Sequence, residues 1–172
     1  MSATDDLVSQ CLEAMRSDSP AIAAKAAVER AVRDNRLAGE LSQKFGISTL
    51  HRSDDLTVLH VVIPPRQASA PNPVPHNHLM WAVIGMMYGG EDNAFFRRSG
   101  PTLESSGGRV LGEGDILAMG ADTIHAVTNP STERLSSALH VYGGDLIGAS
   151  RSMWREPELR EEPYDFAQVA RG

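Results

Sequence analysis

At 172 residues, 41% apolar and 22% charged, the chain has the size and composition of one globular domain with a sizeable core. A net charge of −6 without any cluster of Lys or Arg excludes a nucleic-acid surface, because phosphate contacts need grouped cations. Cys11 is the only cysteine, which excludes an internal disulfide and a Cys-x-x-Cys pair. The expectation is a buried helical thiol in a reduced, cytoplasmic setting. The opening MSATDDLVSQ lacks the basic flank and apolar run of a signal peptide, and no apolar run reaches membrane-spanning length.

The first segment reads as helical. Leu7, Val8, Cys11, Leu12 and Met15 recur at helical spacing, with Thr4 as the expected N-cap. Ser19-Pro20 reads as a cap followed by proline at the first helical position, opening an Ala-rich helix to about Val32. A third helix is expected from Leu37 to Phe45, closed by Gly46. This head carries no chemistry and suits packing or a homodimer contact.

From Ile47 the period changes to that of strands. Ile47–Arg52 and Leu56–Ile63 flank the turn Ser53-Asp54-Asp55, and LTVLHVVI, apolar on both faces, should be covered on both sides. A proline-rich connection follows, holding Pro64, Pro65, Pro71, Pro73 and Pro75. Leu79–Tyr88, Ala94–Arg98, Thr102–Glu104, Ile116–Met119 and Leu135–Tyr142 then read as strands between Gly-rich turns, the pattern of an all-β sandwich or barrel. The expected organisation is a helical head over residues 1–46, a β-barrel over 47–149 and a charged tail over 150–172. Trp154, Tyr164 and Phe166 would anchor that tail.

His76-Asn77-His78 is the first chemically informative stretch. Two imidazoles one residue apart on an extended segment share a face and can grip one metal ion. The second is GEGDILAMGADTIHAVTN, with Gly114, the turn Gly120-Ala121-Asp122, His125 and Asn129 in sequence. These two stretches resemble the paired motifs of cupins, which implies a mainly β fold, a double-stranded β-helix or jelly roll with an N-terminal helical segment. The resemblance also implies that His76, His78 and His125 converge on one metal. Trp81 and Ala82 stand where cupins usually place a ligating glutamate. The ligand set is then three neutral imidazoles, which leaves a dication its full charge and favours an anionic ligand such as thiolate or carboxylate.

Within cupins the chain resembles the thiol dioxygenase branch, which holds the cysteine and 3-mercaptopropionate dioxygenases. The absent glutamate, Trp81, the Gly89-Gly90-Glu91 exit and the run Ala138-Leu139-His140-Val141-Tyr142 carry that resemblance. The family places a Ser-x-His-x-Tyr relay at this last run. It implies His140 and Tyr142 as catalytic groups, with the Tyr142 hydroxyl donating to bound dioxygen or substrate and His140 orienting it. Strand alternation puts Ala138, His140 and Tyr142 on one face and Ser137 on the other. Ala138 replaces the relay serine, and Val83 stands where mammalian members carry a crosslinking cysteine.

The implied reaction is oxygen insertion at sulfur, both oxygen atoms ending in a sulfinate, with Fe(II) as cofactor and a small thiol acid and O2 as partners. Three imidazoles would also take Ni, Zn or Cu. A substrate carboxylate needs a cation, and Arg52 and Arg151 are the candidates; Arg66, Arg97 and Arg98 read as surface residues. His60 reads as a satisfied core histidine and His51 as solvent-facing. Trp81, of opposite parity to the ligands, should pack outside the barrel. Two other readings stay open: a metal-loaded cupin that binds a ligand without turnover, and a cupin enzyme acting on a substrate that is not a thiol.

Overall fold

A computed structural model of the chain describes residues 1–169. Three helices open it, α1 (Ala3–Ala14), α2 (Pro20–Ala31) and α3 (Asn35–Glu40). Ser2, not Thr4, caps α1, because Ser2 and Asp5 form a reciprocal capping box that satisfies two otherwise unpaired backbone donors. The Thr4 backbone and hydroxyl instead donate to Glu40. With Ala3 also donating to Glu40 at 2.7 Å, the end of α3 is tied to the start of α1. The chain is already extended at Leu41, so α3 stops well before Phe45. Pro20 takes the first position of α2 behind Ser19, as its missing N–H and fixed φ favour.

Eleven strands follow: β1 (Gly46–Arg52), β2 (Thr57–Ile63), β3 (His76–Asn77), β4 (Ala82–Tyr88), β5 (Gly90–Ser99), β6 (Thr102–Gly112), β7 (Ile116–Met119), β8 (Ile124–Thr128), β9 (Ser136–Tyr142), β10 (Ser152–Arg155) and β11 (Arg160–Pro163). A short helix, α4 (Phe166–Val169), comes last. The strands form two antiparallel sheets, β1-β2-β9-β4-β7 and β11-β10-β3-β8-β5-β6. This is the expected mainly β jelly roll with a helical segment ahead of it.

Leu59, Ile84, Met86, Leu117 and Ala138 fill the space between the sheets. On the outer face of the first sheet, Leu7, Cys11, Ala27 and Val28 pack against Val58, Val83, Leu139 and Val141. The helices therefore cover the far side of β2, β4 and β9, and LTVLHVVI is buried on both faces as its composition requires. Cys11 is fully buried there, and burial pushes its thiol up to about 12, an unreactive state. Gly85 permits the close approach of α2, since a Cβ at this position would lie 2.3 Å from Val28 Cγ1. Trp81 packs on the helix side, outside the barrel, beneath Gly143.

Several elements differ from their expected extents. Strand β6 runs to Gly112, not Glu104; its middle is exposed and polar, so no burial pattern marks it. Strand β8, which carries His125, has no counterpart among the expected strands. Residues 152–163, in the segment read as a charged tail, form β10 and β11, and β10 pairs with β3. Their charged side chains belong to the sheet's rim, where Arg98 pairs with Glu161 and Arg155 with Glu162. The expected strand from Leu79 begins only at Ala82, because Leu79 adopts φ 61° and turns the chain from one sheet to the other.

Candidate metal centre

His76 and His125 are direct partners across β3 and β8, and His78 follows immediately beyond the end of β3. Strand parity points His76 and His125 to the interior. The bend at Leu79 then sets His78 beside them. The ring centroids of His76, His78 and His125 lie 4.8–5.3 Å apart. One nitrogen from each falls within 4.8 Å of the others, a group that could hold a metal ion.

Neighbouring groups fix which nitrogens face the centre. His76 Nδ1–H donates to the Val74 carbonyl at 3.1 Å, and His125 Nδ1–H donates to Asn93 Oδ1 at 2.9 Å. Each leaves Nε2 as the free ligand atom. His78 Nε2 lies 3.2 Å from His125 Nε2, a close approach for two lone pairs that a shared cation relieves. His78 Nδ1 is buried with no partner among the described residues.

Burial keeps all three rings neutral. It pulls His76 down to about 4, with the Arg151 charge adding to the effect against the opposing Val74 hydrogen bond. His78 and His125 are lowered well below the usual imidazole range by burial and then by the neighbouring histidines. Neutral imidazoles, two of them with the second nitrogen already engaged, are what a divalent cation requires, so the donor set fits a metal.

Across the cavity stands β9. His140 and Tyr142 both project inward, and the Tyr142 ring centroid lies 4.9 Å from that of His78. Burial raises the Tyr142 hydroxyl above its ordinary range, so it stays protonated. His140 Nδ1 is 3.1 Å from the Tyr142 hydroxyl. Ser137 faces the helices and pairs with His60 at 2.8 Å, so it does not stand in for the serine missing at Ala138; His60 is a satisfied core histidine.

The cavity has a volume of about 830 Å³, and its walls are mostly aliphatic, with Leu59, Val61, Val127 and Leu146 among them. Arg151 lines it and lies 3.5 Å from the Tyr164 ring centroid, in cation–π contact. Arg151 donates only to the backbone carbonyls of Leu146 and Asn77, and no acid pairs with it among the described residues. Its charge is thus open to a ligand.

Arg52 corrects the expectation. Its guanidinium is bidentate to Asp145 at 2.8 and 2.9 Å on the surface, and it does not line the cavity. An arginine already neutralised by a carboxylate has no fork left for a substrate. Of the two candidate cations, only Arg151 joins the histidines.

Four residues enter the site to which the sequence pattern gave no role there. Asn93 and Glu91 lie two apart on β5 and are both fully buried; they contact His125 and His140 respectively. Asn77 accepts from Ser152 and Arg151, which ties the His-x-His segment to β10. Tyr164, expected only as an anchor, has its ring centroid 5.8 Å from that of His76. Alternation of Glu91, Asn93 and Phe95 was the available signal for the β5 pair.

The chain matches no protein-family model. Among solved structures it is similar to DMSP lyase DddQ from Ruegeria pomeroyi, with 22% identity, a TM-score of 0.45 and coverage of 62% of this chain. The match spans half the length of that lyase, 50%. A cupin with a double-stranded β-helix from Methanocaldococcus jannaschii matches with 11% identity over 62% of this chain and 86% of its own, at a TM-score of 0.48. Oxalate decarboxylase from Bacillus subtilis, which has Mn(II) centres, matches with 18% identity over 54% of this chain and 22% of its own, at a TM-score of 0.41. The strand order and the histidine cluster together describe an antiparallel jelly roll whose interior could hold a metal. No helix among the described residues is long and apolar enough to cross a membrane.

Proposed function

We propose that this protein is a metal-dependent dioxygenase, using Fe(II), that adds O2 to the sulfur of a small thiol acid to give the sulfinic acid. The carrying observation is a three-histidine cluster with no acidic member that faces His140, Tyr142 and an acid-free Arg151 across one cavity. Such a set keeps the charge of a dication undiminished, which favours an anionic sulfur ligand. Ferrous iron held by His76, His78 and His125 supplies the activation of O2 and the stabilisation of the thiolate. The overall change is balanced as thiol plus O2 to sulfinic acid, with no external reductant.

The chain's own groups do the rest. Arg151 binds the substrate carboxylate through a guanidinium held over the Tyr164 ring and tethered by two carbonyls. The aliphatic walls exclude water and strengthen each polar contact within. Tyr142, held by His140, sets its ring beside that of His78, near where the reacting end of the substrate must lie.

Anaerobic loading with ferrous iron, followed by oxygen uptake and mass analysis with cysteine, 3-mercaptopropionate, cysteamine and a longer-chain thiol acid, tests this reading. Stoichiometric uptake with sulfinate product is expected for at least one acid. No uptake and no sulfinate with any thiol overturns it. One observation favours a second reading, a metal-loaded protein that binds ligand without turnover: the cavity, at about 830 Å³, exceeds what the smallest thiol acids fill. Tight binding of a carboxylate ligand without oxygen consumption would select it.

A further inference from the structure

His140 lacks the serine hydroxyl at position 138, yet its imidazole is not left free. Glu91 approaches from the opposite sheet, and its Oε1 lies 3.1 Å from His140 Nε2. The carboxylate is fully buried, and its Oε2 has no partner among the described residues. Burying a half-satisfied carboxylate costs free energy that an apolar side chain there would not. Among the described residues its one side-chain hydrogen-bond partner is the histidine that touches Tyr142.

Three groups therefore stand in line, Glu91, His140 and Tyr142, running from β5 to the cavity wall. The geometry points to Glu91 as the positioning residue of this site: it accepts Nε2–H of His140, fixes that tautomer, and leaves Nδ1 to accept the Tyr142 O–H. The phenolic oxygen then turns its lone pairs, not its proton, toward the histidine cluster. This reverses the polarity expected from the sequence, in which Tyr142 donates into the cavity. The ligand atom beside Tyr142 is accordingly a hydrogen-bond donor, such as an ammonium N–H, and not the thiolate sulfur.

The directional logic is that of a carboxylate holding an imidazole in one tautomer for the group beyond it. A buried protonated phenol needs an acceptor, and among the described residues His140 Nδ1 is the one atom in hydrogen-bond reach of it. Strand β5 thereby serves both halves of the site, with Asn93 orienting His125 and Glu91 orienting His140.

The role assigned to Tyr142 rests on the proposed function, but the tautomer does not, so two readouts separate them. Long-range proton–nitrogen correlation on the zinc-loaded protein is expected to show His140 protonated at Nε2 and bare at Nδ1. In iron-loaded Glu91→Gln, kcat is expected to fall about tenfold or more while KM and metal stoichiometry stay within about twofold. Adding Ala138→Ser to Glu91→Gln should recover part of that loss, because a hydroxyl two residues along the same face can take over the imidazole. A His140 protonated at Nδ1 and bare at Nε2 in the unaltered protein overturns the inference. So does a Glu91→Gln protein whose kcat matches the parent. An unaltered protein that oxidises no thiol removes the proposed reaction and leaves the tautomer to be judged by its spectrum.

Discussion

Replacing Asn93 by leucine tests how the histidine cluster is held. His125 Nδ1–H donates to Asn93 Oδ1 at 2.9 Å, and both side chains are buried, with Asn93 at 0% exposure. Leucine is close in volume but offers no acceptor. The imidazole then loses the bond that fixes its tautomer and must strand an N–H in an apolar interior, at a cost of about 1–3 kcal/mol. Outer-shell partners of ligating histidines are worth about 10–100-fold in metal affinity, roughly 1.4–2.7 kcal/mol, and the two figures agree. The metal-free protein should suffer less, because Asn93 Nδ2 already lacks a partner among the described residues and the substitution removes that burden. Competition against a chromophoric chelator with ferrous or zinc ions, alongside thermal melts of the metal-free protein, reads both quantities. An affinity within about twofold of the parent, with the fold intact, would refute the assignment of His125 as a ligand oriented through β5.

Arg151→Leu should raise KM for 3-mercaptopropionate by about tenfold or more, the worth of a charge-assisted hydrogen bond, and leave KM for cysteamine unchanged; equal effects on both thiols would remove the carboxylate role. Gly85→Ala should destabilise the protein by about 1–3 kcal/mol in urea unfolding, since its Cβ would meet Val28 Cγ1 at 2.3 Å, while the folded fraction keeps its metal affinity. Acidification should weaken the metal-free fold. His76 sits near 4 when folded against an ordinary 6.5, so the unfolded chain binds the extra proton first. Its stabilising contribution is complete above pH 6.5 and drains away as pH falls to about 4, amounting to about 3 kcal/mol for this residue, with His78 and His125 acting in the same direction. Urea midpoints at pH 7.5 and 5 measure it, and equal midpoints would contradict the burial argument.

The sequence exposes local periodicity well and long-range pairing badly. His76 and His78 share parity with nothing but their own neighbours in view, and alternation alone puts Ala138, His140 and Tyr142 on one wall. Two lone arginines, by contrast, look equivalent in the chain. Only the fold shows that Asp145, distant in sequence, engages Arg52 and that no acid among the described residues engages Arg151. Glu91 and Asn93 lie in GGEDNAFF, which reads as a polar turn exit; knowing that they face inward requires knowing that β5 pairs with β8 and looks across at β9. The reach of β6 beyond Glu104, and strands β10 and β11, escape notice because they lie at or near the rims of the second sheet, where water satisfies what patterning would otherwise mark.

Strand β9 is buried at all seven positions, with Leu139 and Val141 against the helices and His140 and Tyr142 against the cavity. It is a party wall between two compartments that share no side chain. Hydrogen-bonded on both edges by β2 and β4, it has no route to solvent short of dismantling a sheet. The groups proposed to meet the ligand, His140 and Tyr142, are thus mounted on one of the most deeply enclosed segments of the molecule, while Arg151, the cation proposed for the carboxylate, follows the loop just beyond it. Entry and selection can adjust at the margin without disturbing the fixed wall behind them.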